Sequence, residues 1–337
     1  MSERQRSVLR AVATTYVGTG APVGSRTVSH LLSVKLSSAS IRTTMAELTE
    51  LQLLEQPHAS AGRVPTERGL RVFVDRLLEP GELAVYDRRS LAFSFEESAV
   101  EAAAQVASRL LTEHTGQLGF VVAPRLEWVK LRHVSLVRLS SERVLVVLVT
   151  QHGRVHRRVI EEAGSGDQAE LERIAAALNE RVMGRTLTEI REGLARELGA
   201  LRDQADRLVR RALALGLRAL ETPEEDAADL IIATHLALLD QPEFNNPDRI
   251  RELLAAVETR EHLLEVLDKV LGDQLSVAFG AELEEPALRH CAVVVAPYGQ
   301  EIPARGALGV IGPSRMDYAR IIPLVNYCSR LITEKLS

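Results

Sequence analysis

From Ser37 to Leu54 the chain reads SSASIRTTMAELTELQLL. Ile41, Met45 and Leu48 are spaced by four and then three residues, which sets one stripe of a helix against a core. Ser38 stands where an N-cap is needed. With that stripe turned inward, 100° per residue directs Ser40, Thr43 and Glu47 outward and leaves Arg42 on the flank. Hydroxyls and a guanidinium on one helix face suit base edges and phosphates in a DNA major groove. Taken alone, the pattern fits an ordinary surface helix better.

The flanking sequence favours the first reading. An earlier helix carries Leu9, Val12, Ala13, Tyr16 and Val17 at helical spacing. After the break at Gly18 to Gly24, Ser25 can cap a short second helix that buries Val28, Leu31 and Leu32, with Arg26 beside the cap. Two helices joined by a short turn, the second outwardly polar, form a helix-turn-helix layout. Leu53 and Leu54 can begin a strand, and the Pro, Ser and Gly between Gln56 and Pro65 mark a tight reversal. A hairpin there is a wing able to lay His58, Ser60 and Arg63 on phosphates. Thr66 then caps a helix with Leu70, Phe73, Val74, Leu77 and Leu78 inward. The expected DNA-contact set is Ser25, Arg26, Ser38, Ser40, Arg42, Thr43, Thr44, His58, Ser60 and Arg63.

Charge supports this placement. The chain of 337 residues carries a net charge of -5. Residues 1 to 78 nonetheless hold ten Lys or Arg against six acids, a surplus of four, so the remainder carries -9. A positive segment is what a phosphate backbone selects through counterion release.

Six sequence motifs, VDRL at Val74 to Leu77 among them, resemble the heat-inducible transcription repressor HrcA family. The others are VGSRT at Val23 to Thr27, IRTTM at Ile41 to Met45, LLEQPHASAGRVPT at Leu53 to Thr66, QPEF at Gln241 to Phe244 and GVIGPSRMDY at Gly309 to Tyr318. The likeness extends over nearly the full chain. It implies an N-terminal winged helix-turn-helix and a GAF-like sheet domain interrupted by an inserted dimerisation domain. It also implies a homodimeric repressor acting on an inverted-repeat operator (CIRCE) of groE- and dnaK-type operons, kept active by the chaperonin GroEL. Two positions depart from the family pattern. Thr43 replaces an Asn, and Thr lacks the amide needed for bidentate pairing with adenine. Thr234-His235-Leu236 replaces a Gly-Thr-Ser.

The rest of the chain reads as α+β and multidomain. Glu79 to Glu82 breaks the preceding helix and reads as a linker, followed by polar, acidic sequence to Ser98. A helix over 100–114 precedes a strand at Gly119 to Ala123. Segments Trp128 to Leu139, Val144 to Thr150 and Val155 to Ile160, separated by turn sequences, form an antiparallel meander. Helical patterns follow, with a capping box at Thr186 and Glu189, and Leu230 to Ala233 is short enough to be a strand. Strands return at Leu275 to Ala281, Cys291 to Pro297 and Ala307 to Ile311, and a helix capped by Asp317 closes the chain. The expected domains are 1–80 for DNA binding, 98–166 and 274–337 for the sheet domain, and 167–273 for the helical insertion. Leucine stripes in the insertion suit either its own core or a second copy of the chain.

Several functions are disfavoured. Aromatic residues make up 4% of the sequence, too few for single-strand stacking platforms. The two cysteines, Cys291 and Cys328, make no disulfide framework or zinc pattern and fit a reducing cytoplasm. The N-terminal residues lack an apolar signal region, and the longest apolar run, Val144 to Val149, is too short to span a membrane. No paired histidines, nucleotide-binding glycine motif or catalytic set stands out, so no enzyme activity, metal or cofactor is expected. A winged-helix regulator whose GAF-like domain senses a small ligand is the alternative.

Overall fold

The computed structural model describes residues 1–337 apart from 33–35, 60, 80, 100–101, 125–128, 152, 162–166, 201–213, 215–216, 219–229, 234–259, 300–305 and 337. Trp128, Thr234 to Leu236 and Gln241 to Phe244 lie outside these residues. The chain is α+β, with all its paired strands antiparallel among the described residues.

Helix α1 (Glu3–Thr19) starts at a reciprocal Ser2–Gln5 capping box and stops at Gly20, which adopts a left-handed conformation. Helices α2 (Ser25–Leu31) and α3 (Ser38–Glu50) pack against it, and β1 (Leu54–Glu55) pairs with β2 (Val64–Pro65). Helix α4 (Glu67–Val72), capped by the Thr66 hydroxyl, runs into a π-turn at Phe73–Leu77. One core joins these elements through Val8, Leu9, Val12, Val28, Ile41, Leu48, Leu54, Phe73 and others.

Residues 85–97, expected only as polar, acidic sequence after the linker, form helix α5 (Val85–Glu97), which buries Leu91 and Phe95. Helix α6 (Ala103–Thr115) leads into β3 (Leu118–Val122). A five-stranded sheet runs β7 (Leu230–Ile232), β3, β10 (Gly306–Pro313), β9 (Cys291–Tyr298) and β8 (Ser276–Phe279). Strands β3 and β10 are buried throughout, because both faces of the sheet are covered. Helices α5, α6 and α10 (Tyr318–Leu336) share the core on one face; α9 (Arg260–Val270) contributes to the other. Asp317 caps α10, as expected, by accepting from the Arg320 N–H at 3.3 Å.

The meander corrects the expected layout. Strands β4 (Leu131–Arg138), β5 (Arg143–Thr150) and β6 (Val155–Glu161) form a separate three-stranded sheet. They bury alternate residues, Val144, Val146 and Leu148 among them, beneath α7 (Gln168–Val182) and α8 (Leu187–Ala200). Of the strands expected within 98–166, only β3 pairs with strands of 274–337. Strand β7 returns from the excursion to pair with β3, so the meander belongs physically with the helices that follow it. The capping box before α8 is present: the Thr186 N–H donates to Glu189 at 2.8 Å, and the Glu189 N–H to the Thr186 hydroxyl at 3.2 Å. The amide bond holds the Glu189 carboxyl below its ordinary pKa.

Candidate nucleic-acid interface

The buried side of α3 is completed by a residue expected to face DNA. Ile41, Met45 and Leu48 are buried as anticipated, but Thr44 is also 0% exposed. Its hydroxyl donates to the Ser40 carbonyl at 3.1 Å. That bond satisfies the hydroxyl within the helix, which is why a polar residue can occupy a core position. Adding Thr44 to the buried set rotates the outward direction by a fraction of a turn. The exposed face consists of Ser38, Ala39, Arg42, Thr43 and Ala46, with Glu50 exposed at the helix's far end. Ser40 and Glu47 are half-buried instead, and Glu47 accepts from Gln5 at 2.9 Å and pairs with Arg4 at 3.4 Å.

The cap is also displaced by one residue. Ser37, not Ser38, accepts the Ser40 N–H at 3.1 Å, which leaves the Ser38 hydroxyl exposed at the helix entrance. Arg42 projects into solvent, while the Thr43 hydroxyl leans back to the Ala39 carbonyl at 3.3 Å. Sequence reasoning missed Ala39 and Ala46, which follow directly from the helical wheel once Thr44 is assigned inward. Their methyl groups keep the centre of this face low, and alanine is one of the side chains that can contact a thymine methyl.

In α2 the capping residue is Gly24, with no side-chain bond, so Ser25 is the first helical residue rather than the cap. Ser25 is half-buried and Arg26 exposed. Leu31, expected inside, is 57% exposed, because α2 contributes only Val28 to the fully buried core.

The reversal after β1 is held by the Gln56 amide, which donates to the carbonyls of Ala59 at 2.9 Å and Ala61 at 3.0 Å. His58 is exposed at its tip, and Ser60 lies outside the described residues. Arg63 and Val23 exchange two backbone hydrogen bonds of 2.9 Å, tying the end of the loop to the entry of α2. The Arg63 side chain is half-buried, and its Nε has no hydrogen-bond partner among the described residues. The bridge therefore brings Arg63 beside the start of α2, while α2 packs on α3.

Among the described residues no group of His, Cys, Asp and Glu could hold a metal, and no helix is long and apolar enough to cross a membrane. The model of the HrcA protein C terminal domain matches residues 101–322. The chain belongs to the HrcA family. Its relatives include the heat-inducible transcription repressor HrcA of Nitratidesulfovibrio vulgaris Miyazaki F, 39% identical over 99% of this chain and 95% of that one. The corresponding repressor of Sorangium cellulosum is 37% identical over 99% and 97%. A solved structure described as a hypothetical protein shares the fold, with a TM-score of 0.61 at 23% identity over 100% of this chain and 98% of that one. The chain is thus a transcription repressor of the heat-shock response and not an enzyme.

Proposed function

We propose that residues 1–80 form a winged helix-turn-helix and that two copies of the chain grip an inverted-repeat operator. In this reading α3 enters the major groove with Ser38, Ala39, Arg42, Thr43 and Ala46 toward the bases. Ser25, Arg26, His58, Ser60 and Arg63 line the adjoining backbone. The observation that carries the reading is the exposed, uncharged centre of α3 flanked by Arg42, over a back fully buried in the unit's core. A palindrome needs two such helices related by a two-fold axis. The inserted unit is the dimerising element: one face of its three-stranded sheet leaves Val137, Val155 and Val159 exposed. The five-stranded sheet is the GAF-like domain.

The family resemblance supplies the target: CIRCE-type operators of groE and dnaK operons. It also supplies GroEL as the partner that maintains the active fold. Under heat, unfolded clients occupy the chaperonin and the repressor population shifts to inactive forms. A change of about 1–2 kcal/mol in stability shifts that population by about 5- to 30-fold. Chaperonin depletion should therefore derepress a reporter at constant temperature; an unresponsive reporter would remove this part of the mechanism.

The DNA reading is tested by gel shift on a symmetric operator and a scrambled duplex over a salt series. Arg42→Ala should lose about 1–3 kcal/mol on the operator and relax discrimination. Arg63→Ala should weaken binding to both duplexes and reduce the salt slope by about one. Equal losses on both duplexes for Arg42→Ala would refute its base-reading role.

A further inference from the structure

Helix α5 follows directly on the DNA-binding segment and exposes an outer face that nothing among the described residues covers. Tyr86 is 79% exposed and Phe93 59%. On a helical wheel Tyr86, Arg89, Phe93, Glu96 and Glu97 fall within about 100° of the circumference, opposite the buried Leu91 and Phe95. Arg89 lies on the N-terminal side of Phe93, and both glutamates lie on the C-terminal side.

This charge order opposes the helix's own dipole, which favours acids at the start and bases at the end. The last turn of α5 holds no basic residue, and its N-cap, Ala84, makes no side-chain hydrogen bond, Asp87 being the one acid of its first turn. Among the described residues the Arg89, Glu96 and Glu97 side chains make no ion pair or hydrogen bond within the chain, although Lys335 donates to the Glu96 backbone carbonyl at 3.1 Å. The pattern instead complements itself when reversed. An antiparallel copy, with the two-fold axis between Ala92 and Phe93, sets Arg89 against Glu96 of the second helix and brings the two Phe93 rings together. A parallel copy would oppose like charges.

We infer that the outer face of α5 packs antiparallel on the same face of a second copy of this chain. This rests on the homodimer proposed above. A pair of 13-residue helices buries less than the roughly 1,200 Å² typical of a stable specific interface, so the contact acts beside the inserted unit and does not replace it. Because α5 begins soon after the π-turn at Phe73–Leu77, the contact would fix the two DNA-binding units near the operator's own two-fold axis.

Site-directed crosslinking of the full-length protein tests this. Cys291 and Cys328 are buried, so an introduced cysteine dominates the reaction with a short bismaleimide. In the antiparallel register the Phe93 positions are nearly opposite, whereas the two Tyr86 positions are separated by about 20 Å along the helices. Phe93→Cys should form covalent dimer about tenfold faster than Tyr86→Cys. Added to Phe93→Cys, Arg89→Glu or Glu96→Arg should each slow the crosslink, and both together should restore it. Sedimentation equilibrium is run on every variant. A dimer in which Phe93→Cys crosslinks no faster than Tyr86→Cys overturns the α5 contact and leaves dimerisation intact. A monomeric wild-type chain overturns both.

Discussion

Gly62 shows how a single residue can hold the loop beside α3. A Cβ at this position would lie 2.4 Å from the Val23 carbonyl oxygen, in backbone fixed by the Val23–Arg63 bridge. Gly62→Ala must separate the two segments, and a loss of about 1–3 kcal/mol is expected. A lower melting temperature and weaker operator binding should appear together; an unchanged melting temperature would contradict the tight approach. Glycine in a turn-rich segment is legible in sequence, whereas its contact with Val23 is not, because no local spacing encodes it. Thr44 shows the complementary limit. Its residue type suggested a DNA contact, but the bond to Ser40 lets it face inward. Thr44→Val should cost about 1 kcal/mol of stability through that bond and leave operator discrimination unchanged. A gel shift showing relaxed specificity would return Thr44 to the interface.

At the scale of elements, α4 is anchored to the end of β8. The Arg71 guanidinium donates to the Glu282 carboxylate and stands 4.8 Å from the centre of the Phe279 ring, which in turn packs on Tyr318 at 5.7 Å. Glu67 accepts the Ala281 N–H at 3.3 Å. Because the Arg71 side chain is only 27% exposed, the stacked ion pair is worth about 1–2 kcal/mol, more than most surface pairs. Arg71→Ala should leave both flanking units folded but weaken their coupling, so calorimetry should resolve two transitions. Arg71→Lys should rescue only partly, since lysine keeps the charge without the planar stack. A single unshifted transition in Arg71→Ala would show that the junction is held elsewhere. This pairing was not legible in the sequence, since Arg71 and Glu282 are separated by 211 positions. Strand identity was legible for β3 to β6 and β8 to β10. Their division between two sheets was obscured because the half-buried positions of β5 are also apolar, so its alternation does not show in residue type. Helix α5 was hidden by its charged, one-sided composition.

For the whole molecule, the two thiols report on the opposite layers of the five-stranded sheet. Cys328 belongs to the core shared with α6 and α10, and Cys291 to the core on the α9 side. Burial pushes both thiols up to about 12. At pH 8 only about one thiol in 10⁴ would be ionised even if reagent reached it, so alkylation of the folded chain must proceed through opening. Because labelling runs through the opened chain, its rate should rise about tenfold per pH unit below the ordinary thiol pKa of about 8.5 and level off above it. Unfolding restores ordinary acidity and should raise the rate by several orders of magnitude. If heat acts on this repressor through cooperative loss of its fold, Cys291 and Cys328 should become reactive together as temperature rises. Mass spectrometry of separately resolved peptides measures the two rates. Reaction of Cys291 well before Cys328 would instead place the heat response in local release of the α9 layer, with the layer formed by α6 and α10 still folded.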